Sequence, residues 1–239
     1  MKGALDFGGK VTLITGGGRG IGRGIAEAFL GAGAEVAICG RSEPTELPAA
    51  GGRAALFVAA DVRDPAQAQT LIEHVVERFG RLDVLVNNAG GAPFADAATA
   101  SPRFSKKIID LNLTAALHCA QQANRVMQEQ KSGGSIINIA SVSGVRPSPG
   151  TAAYGAAKAA LIHLTTTLAV EWAPRVRLNA ISAGLIRTEQ AHLHYGDEEG
   201  IARVADTVPL KRLGTPEDVA GACLFFASPL AAYVLSLIH

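Results

Sequence analysis

The chain has 239 residues, 48% of them hydrophobic, and balances 22 basic against 21 acidic side chains. That length and apolar content supply one large α/β core, and the near-neutral balance carries no footprint of nucleic acid or of an anionic membrane surface. No apolar run approaches the ~18 residues of a bilayer span, and the N-terminus lacks the apolar stretch of about 7–15 residues that marks a secretory leader. Cys39, Cys119 and Cys223 are scattered in apolar surroundings and read as reduced core residues of a cytoplasmic protein, not as disulfides or a zinc site.

In chain order, Lys10 to Thr15 is a short apolar run rich in β-formers. Gly16-Gly-Gly-Arg-Gly-Ile-Gly22 follows, and then a stretch in which Ile21, Ile25, Ala28 and Phe29 recur at helical spacing until Gly31 to Gly33. Strand, glycine turn and helix in this order cradle a phosphate. Small residues let the backbone approach a pyrophosphate, and the helix N-terminus offers free N–H groups at its positive end. Gly16, Gly20 and Gly22 stand one residue away from the usual dinucleotide fingerprint, and a purely structural glycine turn is the alternative. Glu35 to Cys39 reads as a second buried strand whose end would face an adenosine ribose. There the chain has Gly40-Arg41-Ser42 and no carboxylate. Arg41, with Arg19 in the glycine loop, would pair with a 2′-phosphate. The expected cofactor is therefore NADP(H), with NAD(H) as the alternative. Pro44 to Gly52 reads as a loop or short frayed helix.

Ala55 to Ala59 is a third strand leading to Asp61 and Val62. Asp64 then caps a helix with Pro65 at its first position, running to about Phe79. Leu82 to Val86 is a fourth strand, followed by Asn87-Asn88-Ala89-Gly90. Strands alternating with helices of a dozen or more residues imply a doubly wound parallel sheet between two helical layers. After a flexible connection over Pro93 to Ser101, a long helix covers about Pro102 to Lys131. Asn112 falls inside its apolar pattern and needs partners there. Gly134 to Ala140 is a fifth strand that delivers Ser141 to the carboxyl edge of the sheet, where open α/β sheets bind ligands. Arg175 to Ile181 is a sixth strand, and Ser182 to Gly184 turns the chain. The polar stretch from Thr188 to Glu199 reads as a lid that touches a substrate through His192, His194 or Tyr195. Its His-x-His followed by acids is not a tight ligand pattern, so no metal is expected. Thr215-Pro-Glu-Asp218 is a capping box with proline at the first helical position, and its helix runs to about Ala227. No repeat or linker divides the chain, so residues 1–239 read as a single domain.

The chemistry centres on Ser141 to Lys158. Tyr154 and Lys158 are four apart and leave one face of a helix. A phenol with an ordinary pKa of about 10 is a poor acid–base catalyst at neutral pH, and an ammonium one turn away favours the phenolate. Ser141 or Ser143 could hold the oxygen that Tyr154 protonates. Alone, the spacing fits a surface tyrosine beside a solvated lysine better than it fits a catalytic pair.

Together, Thr15-Gly16-x-x-x-Gly20-x-Gly22, Asp61, Asn87-Asn88-Ala89-Gly90, Asn112, Ser141, Tyr154-x-x-x-Lys158 and Asn179 resemble the short-chain dehydrogenase/reductase family. The elements stand in family order from Leu5 to about Val234. The resemblance implies that Tyr154 is the general acid/base, that Lys158 lowers its pKa and holds the nicotinamide ribose, and that Ser141 polarises a substrate carbonyl. Asn112 would support a proton-relay water. Gly16, Arg19, Gly20, Ile21 and Gly22 would line the pyrophosphate, and Asp61 and Val62 the adenine. Asn88, Ala89 and Gly90 would meet the inner ribose, and Ile186 and Thr188 the carboxamide. The implied protein is an NADP(H)-preferring carbonyl reductase or alcohol dehydrogenase that assembles as a dimer or tetramer. A non-catalytic dinucleotide-binding protein and an NAD-linked dehydrogenase working oxidatively are the alternatives. Two departures from the family pattern stand out. Ala183-Gly184 replaces the usual Pro-Gly, and the family's seventh strand is replaced by Leu235-Ser-Leu-Ile-His239. That tail reads as foreign, with the chain truncated near Val234, the sixth strand's edge left bare and the oligomer weakened.

Overall fold

A computed structural model describes residues 3–236. Its central sheet has six parallel strands: β1 (Val11–Thr15), β2 (Glu35–Gly40), β3 (Leu56–Ala59), β4 (Val84–Asn87), β5 (Gly134–Ser141) and β6 (Val176–Ala183), in the spatial order β3-β2-β1-β4-β5-β6. The order reverses between β1 and β4. The connections that follow β1 and β4 leave toward opposite sides of the sheet and open a crevice at the carboxyl ends of these paired, parallel strands.

Adjacent residues on each strand feed opposite faces of the sheet. Leu13, Leu85 and Ile136 join Leu71, Cys119 and Met127 in one core layer, which lies under α2 (Pro65–Phe79), α4 (Ala115–Glu129) and α5 (Ala152–Trp172). Their neighbours Ile14, Val86 and Ile137 join Ile25, Phe29 and Cys223 in the other, under α1 (Gly20–Gly31) and α8 (Pro216–Ala227). Burial on both faces is why β1, β4 and β5 read as continuous apolar runs without alternation. Burial also raises the pKa of all three cysteine thiols, so they are packed hydrophobes and not reactive groups.

The helix starts follow local chemistry. The Asp64 carboxylate accepts the Ala66 N–H at 2.9 Å, and Gly80 ends α2 in a left-handed conformation. At α8 the capping box is complete: Asp218 accepts the Thr215 N–H at 2.8 Å, and the Thr215 hydroxyl accepts the Asp218 N–H. No described helix is long and apolar enough to cross a membrane.

Four expectations need correction. Of the stretch Pro44 to Gly52, read as a loop or short frayed helix, Pro44 to Pro48 is an irregular loop, but Ala49–Ala50 is a short strand that pairs antiparallel with Arg53–Ala54. The turn between them is Gly51-Gly52, both at positive φ, which is the pairing a two-residue hairpin demands. The long helix is interrupted. After α3 (Pro102–Ile109) the chain widens into a π-turn over Asp110–Thr114 before α4 resumes and ends at Glu129. The turn expected over Ser182 to Gly184 begins later, because β6 extends to Ala183 through its register with Ser141. Finally, the described tail is not detached from β6. Ser236 donates its N–H to the Leu178 carbonyl at 3.2 Å, its hydroxyl accepts the Ala180 N–H at 3.0 Å, and Asn179 Nδ2 donates to the Val234 carbonyl at 3.1 Å. Leu237 to His239 lie outside the described residues.

The contact of α1 with α8 depends on glycine. A Cβ on Gly24 would come within 2.5 Å of Pro216 Cβ, whereas one on Gly221 would meet nothing. Gly24→Ala is therefore expected to lower the unfolding free energy by about 1–3 kcal/mol through overpacking. Gly221→Ala on the exposed side of α8 should be neutral, or stabilising by up to ~1 kcal/mol. Urea unfolding of the two variants side by side checks both signs.

Candidate active site

The crevice at the β1/β4 divergence holds a cavity of about 720 Å³. It is lined by Gly16, Arg19, Gly20, Ile21 and Gly22 after β1, by Arg41 after β2, and by Asp61 and Val62 after β3. Asn88, Ala89 and Gly90 after β4, Ser141 after β5, and Ile186 and Thr188 after β6 complete it, with Tyr154 and Lys158 of α5. Every residue singled out above as a cofactor or catalytic candidate lies on this wall except Asn112 and Ser143.

The two sides of the crevice are braced by side chains. Thr15 Oγ1 accepts the Asn88 and Ala89 N–H groups, each at 3.0 Å. Asn88 Nδ2 donates to the Thr15 and Gly16 carbonyls at 2.9 and 3.1 Å. Gly16 and Gly20 have positive φ, and a Cβ on Gly22 would overlap the Gly16 carbonyl. The loop can thus take this path only with glycine at these positions. No side chain of Arg19, the residue preceding α1, caps that helix, and no acidic residue stands in its first turn. A helix start with no cap from the preceding residue, a glycine-rich backbone and flanking arginines together fit a bound dinucleotide phosphate.

Asn112 is almost fully buried behind this wall. Its Nδ2 donates to the Gly91 and Ile108 carbonyls, both at 2.9 Å, and its Oδ1 accepts the Gly91 N–H at 2.8 Å. The π-turn exists around this side chain, since it takes the Ile108 carbonyl one turn back and clamps the segment after β4. Gly90 sits between Asn112 and Lys158, and a Cβ there would reach Asn112 Oδ1 at 2.7 Å and Lys158 Nζ at 3.2 Å.

A second buried chain of polar groups sets the position of α5. Asn87 Nδ2 donates to Asn138 Oδ1 at 2.9 Å, Asn138 Nδ2 to Thr165 Oγ1 at 2.8 Å, and Thr165 Oγ1 to the Leu161 carbonyl at 2.7 Å. Gly144 and Gly155 permit close packing of the turn after β5 on α5, where a Cβ would meet the Lys158 carbonyl carbon at 2.8 Å and the Ser143 carbonyl oxygen at 2.9 Å, respectively. These contacts deliver Tyr154 and Lys158 to the end of β5.

There Lys158 is 4% exposed and donates to the Ile139 carbonyl at 2.7 Å. Burial pulls its pKa from 10.5 down to about 8. Its ammonium lies 5.7 Å from the centre of the Tyr154 ring. Burial raises the Tyr154 pKa, and a hydrogen bond with Ser141 opposes that rise. The Lys158 ammonium is engaged by a backbone carbonyl, and the Ser141 hydrogen bond is what opposes the rise at the phenol. Ser143 donates its N–H to Ser141 Oγ at 3.2 Å but turns its own hydroxyl toward Ser148, 3.0 Å away. Ser141, not Ser143, thus faces the phenol.

Arg63, Glu189 and Gln190 are among the residues of the wall that sequence reasoning missed. Arg63 forms a forked ion pair with Asp61 and holds its carboxyl below the usual range; the Asp-x-Arg spacing was its only signal. Glu189 accepts the Gly20 N–H at 3.0 Å across 169 positions, a contact no spacing could reveal. Gln190 lines the cavity beside it. Of the expected lid residues, Tyr195 in α6 (His192–Tyr195) lines the cavity and lies close enough for Tyr154 to raise its pKa beyond the effect of burial. The His192 ring pairs with the Glu189 carbonyl at 3.1 Å, and the His194 side chain lies outside the described part.

The strand order and a crevice of this kind at the switch point define a Rossmann-like α/β protein. The family model described as enoyl-(acyl carrier protein) reductase matches residues 16–238. An uncharacterised oxidoreductase of Mycobacterium tuberculosis is 41% identical over 94% of this chain and 88% of its own length. A 3alpha-hydroxysteroid dehydrogenase of Mediterraneibacter gnavus is 37% identical over 94% and 92%. The structure of Thermoplasma acidophilum aldohexose dehydrogenase superposes with a TM-score of 0.90 at 32% identity, covering 98% of this chain and 92% of that one. The chain belongs to the short-chain dehydrogenase/reductase family of oxidoreductases.

The buried ammonium generates a pH test. Because the folded pKa of Lys158 is depressed, the cost of burying its charge is fully present below pH ~8 and is relieved as pH rises toward 10.5. Relative to Lys158→Met, the native protein should therefore gain stability over that interval, on the order of 3 kcal/mol. Denaturant titrations of both proteins at pH 7.5 and at about pH 10 measure the difference.

Proposed function

We propose that this protein is an NADP(H)-preferring short-chain dehydrogenase/reductase acting on a carbonyl or alcohol, with Tyr154 as its proton donor and acceptor. The observation that carries the reading is that one cavity contains a side-chain-free phosphate loop, Arg19 and Arg41, and the Ser141, Tyr154 and Lys158 group. When bound, the nicotinamide cofactor supplies or accepts the hydride. Ser141 and Tyr154 hold the carbonyl oxygen, and Tyr154 donates a proton to it in reduction and recovers one in oxidation. The Lys158 charge favours the phenolate that forms when that proton leaves. Asn112 keeps the Gly90–Gly91 segment in place beside Lys158. Arg19 and Arg41 select the 2′-phosphate, with no carboxylate at the end of β2 to oppose it.

The relatives act, by name, on compounds as unlike as a hydroxysteroid and an aldohexose. Their shared chemistry supports an alcohol–carbonyl substrate. The family description names an enoyl reductase instead. Ser141 favours the carbonyl, because two converging hydroxyls serve an oxygen and not an alkene carbon. A screen of ketones, aldehydes and enoyl thioesters with NADPH decides between them.

Tyr154→Phe is expected to lower kcat by 10²–10⁴-fold and leave the NADPH Kd within about twofold; retained turnover would overturn the mechanism. Fluorescence titration should show tighter binding of NADPH than of NADH. Arg41→Ala should weaken NADPH by about tenfold, the effect of one charged hydrogen bond, and leave NADH unchanged. Preference of the native protein for NADH would overturn the assignment of Arg19 and Arg41.

A further inference from the structure

The contact between Glu189 and the glycine loop is not explained by the chemistry above. The segment after β6 lines the cavity, places Thr188 against Gly20 and brings the Glu189 carboxylate onto the Gly20 N–H at 3.0 Å. Gly20 is the first residue of a twelve-residue helix whose start has no cap from Arg19 and no acidic residue in its first turn. The side chain that meets this positive end is a carboxylate delivered from 169 positions away. Both partners line the cavity. The carboxylate ties the segment to the loop, and local bonds continue its path: the Gln190 N–H bonds to Thr188 Oγ1 at 3.3 Å and the His192 ring to the Glu189 backbone carbonyl at 3.1 Å, leading to Tyr195 near Tyr154.

We propose that Glu189 sets cofactor affinity as an internal competitor: its carboxylate stands where a dinucleotide phosphate would take the Gly20 N–H, and binding of the pyrophosphate displaces it. An anion at a helix N-terminus gains from the same N–H groups and dipole whether it is a side chain or a ligand. One N–H cannot serve two anions, and two negative groups at this distance repel. Displacement of Glu189 shifts the segment that carries Tyr195, so cofactor occupancy and the position of the lid are coupled. The inference rests on the dinucleotide reading above and adds the residue that opposes it.

The experiment compares the native protein with Glu189→Gln and Glu189→Ala, using isothermal titration with NADPH, with ADP-ribose and with adenosine 2′-monophosphate. The first two carry a pyrophosphate and the third does not. Both substitutions should tighten NADPH and ADP-ribose about three- to tenfold, the range of one charge at a helix start, and leave adenosine 2′-monophosphate unchanged. Unchanged or weaker NADPH binding would overturn the proposal, as would equal tightening of all three ligands, which would report general charge alone. Hydrogen exchange without ligand gives an independent readout. The amides of 188–195 should exchange several-fold faster in Glu189→Ala, and identical exchange would overturn the anchoring role whatever the ligands do. If exchange rises but neither NADPH nor NADH binds any of the three proteins, the functional reading and the displacement step fall together, and only the anchoring contact stands.

Discussion

The reversal of strand order between β1 and β4 is the constraint on which the rest of this molecule depends. Connections that leave two paired parallel strands toward opposite sides of the sheet open a crevice, and a crevice lined with backbone must have its polar groups paired or it collapses around water. Thr15 and Asn88 do this from the two sides: one hydroxyl takes two N–H groups, and one amide gives to two carbonyls. The loop after β1 is thereby held open with its glycines facing the cavity. The first turn of α1 is aimed into the same space.

The catalytic candidates are positioned by the same means one layer further on. Asn87, Asn138 and Thr165 run hydrogen bonds from β4 through β5 into α5, inside a core that is otherwise apolar. A buried polar chain of this kind admits few alternative arrangements, because every unmatched atom in it, as Asn87 Oδ1 is here, costs stability. It fixes the rotation of α5 and so the direction of Tyr154 and Lys158. Asn112 acts similarly on the segment after β4. Its π-turn gives up regular helical bonding in exchange for a clamp on Gly91 and Ile108.

Electrostatics inside the site runs against the simplest expectation. Desolvation depresses Lys158 and raises Tyr154, so both groups lean toward neutrality in the folded protein. The interactions that oppose this are the Ser141 hydrogen bond to the phenol and the Ile139 carbonyl under the ammonium. At the other end of the cavity the charges are solvated or paired on the surface. Asp61 is engaged by Arg63, and Arg19 and Arg41 project at the rim. One cavity therefore joins a dry, weakly charged end to a wet, basic one.

The local order of strands and helices, the caps at Asp64 and Thr215, and the glycine turn were legible in the sequence, because each depends on near neighbours: apolar spacing, a capping side chain, a missing Cβ. The parallel sense of the sheet followed from alternation of strand and helix, since parallel strands require crossovers, while the order of the strands was read only from the folded sheet. What only the tertiary structure decided are the features made by residues far apart in the chain. The π-turn at Asn112 needed Gly91 to be there, and the tail's path along β6 needed a free edge. The Glu189 contact required the segment after β6 to reach the start of α1, and the Lys158 pKa required a closed core. The Tyr154–Lys158 spacing put both side chains on one face of a helix. Which carbonyl the ammonium would choose, and which serine would face the phenol, depended on how that helix packed against the sheet.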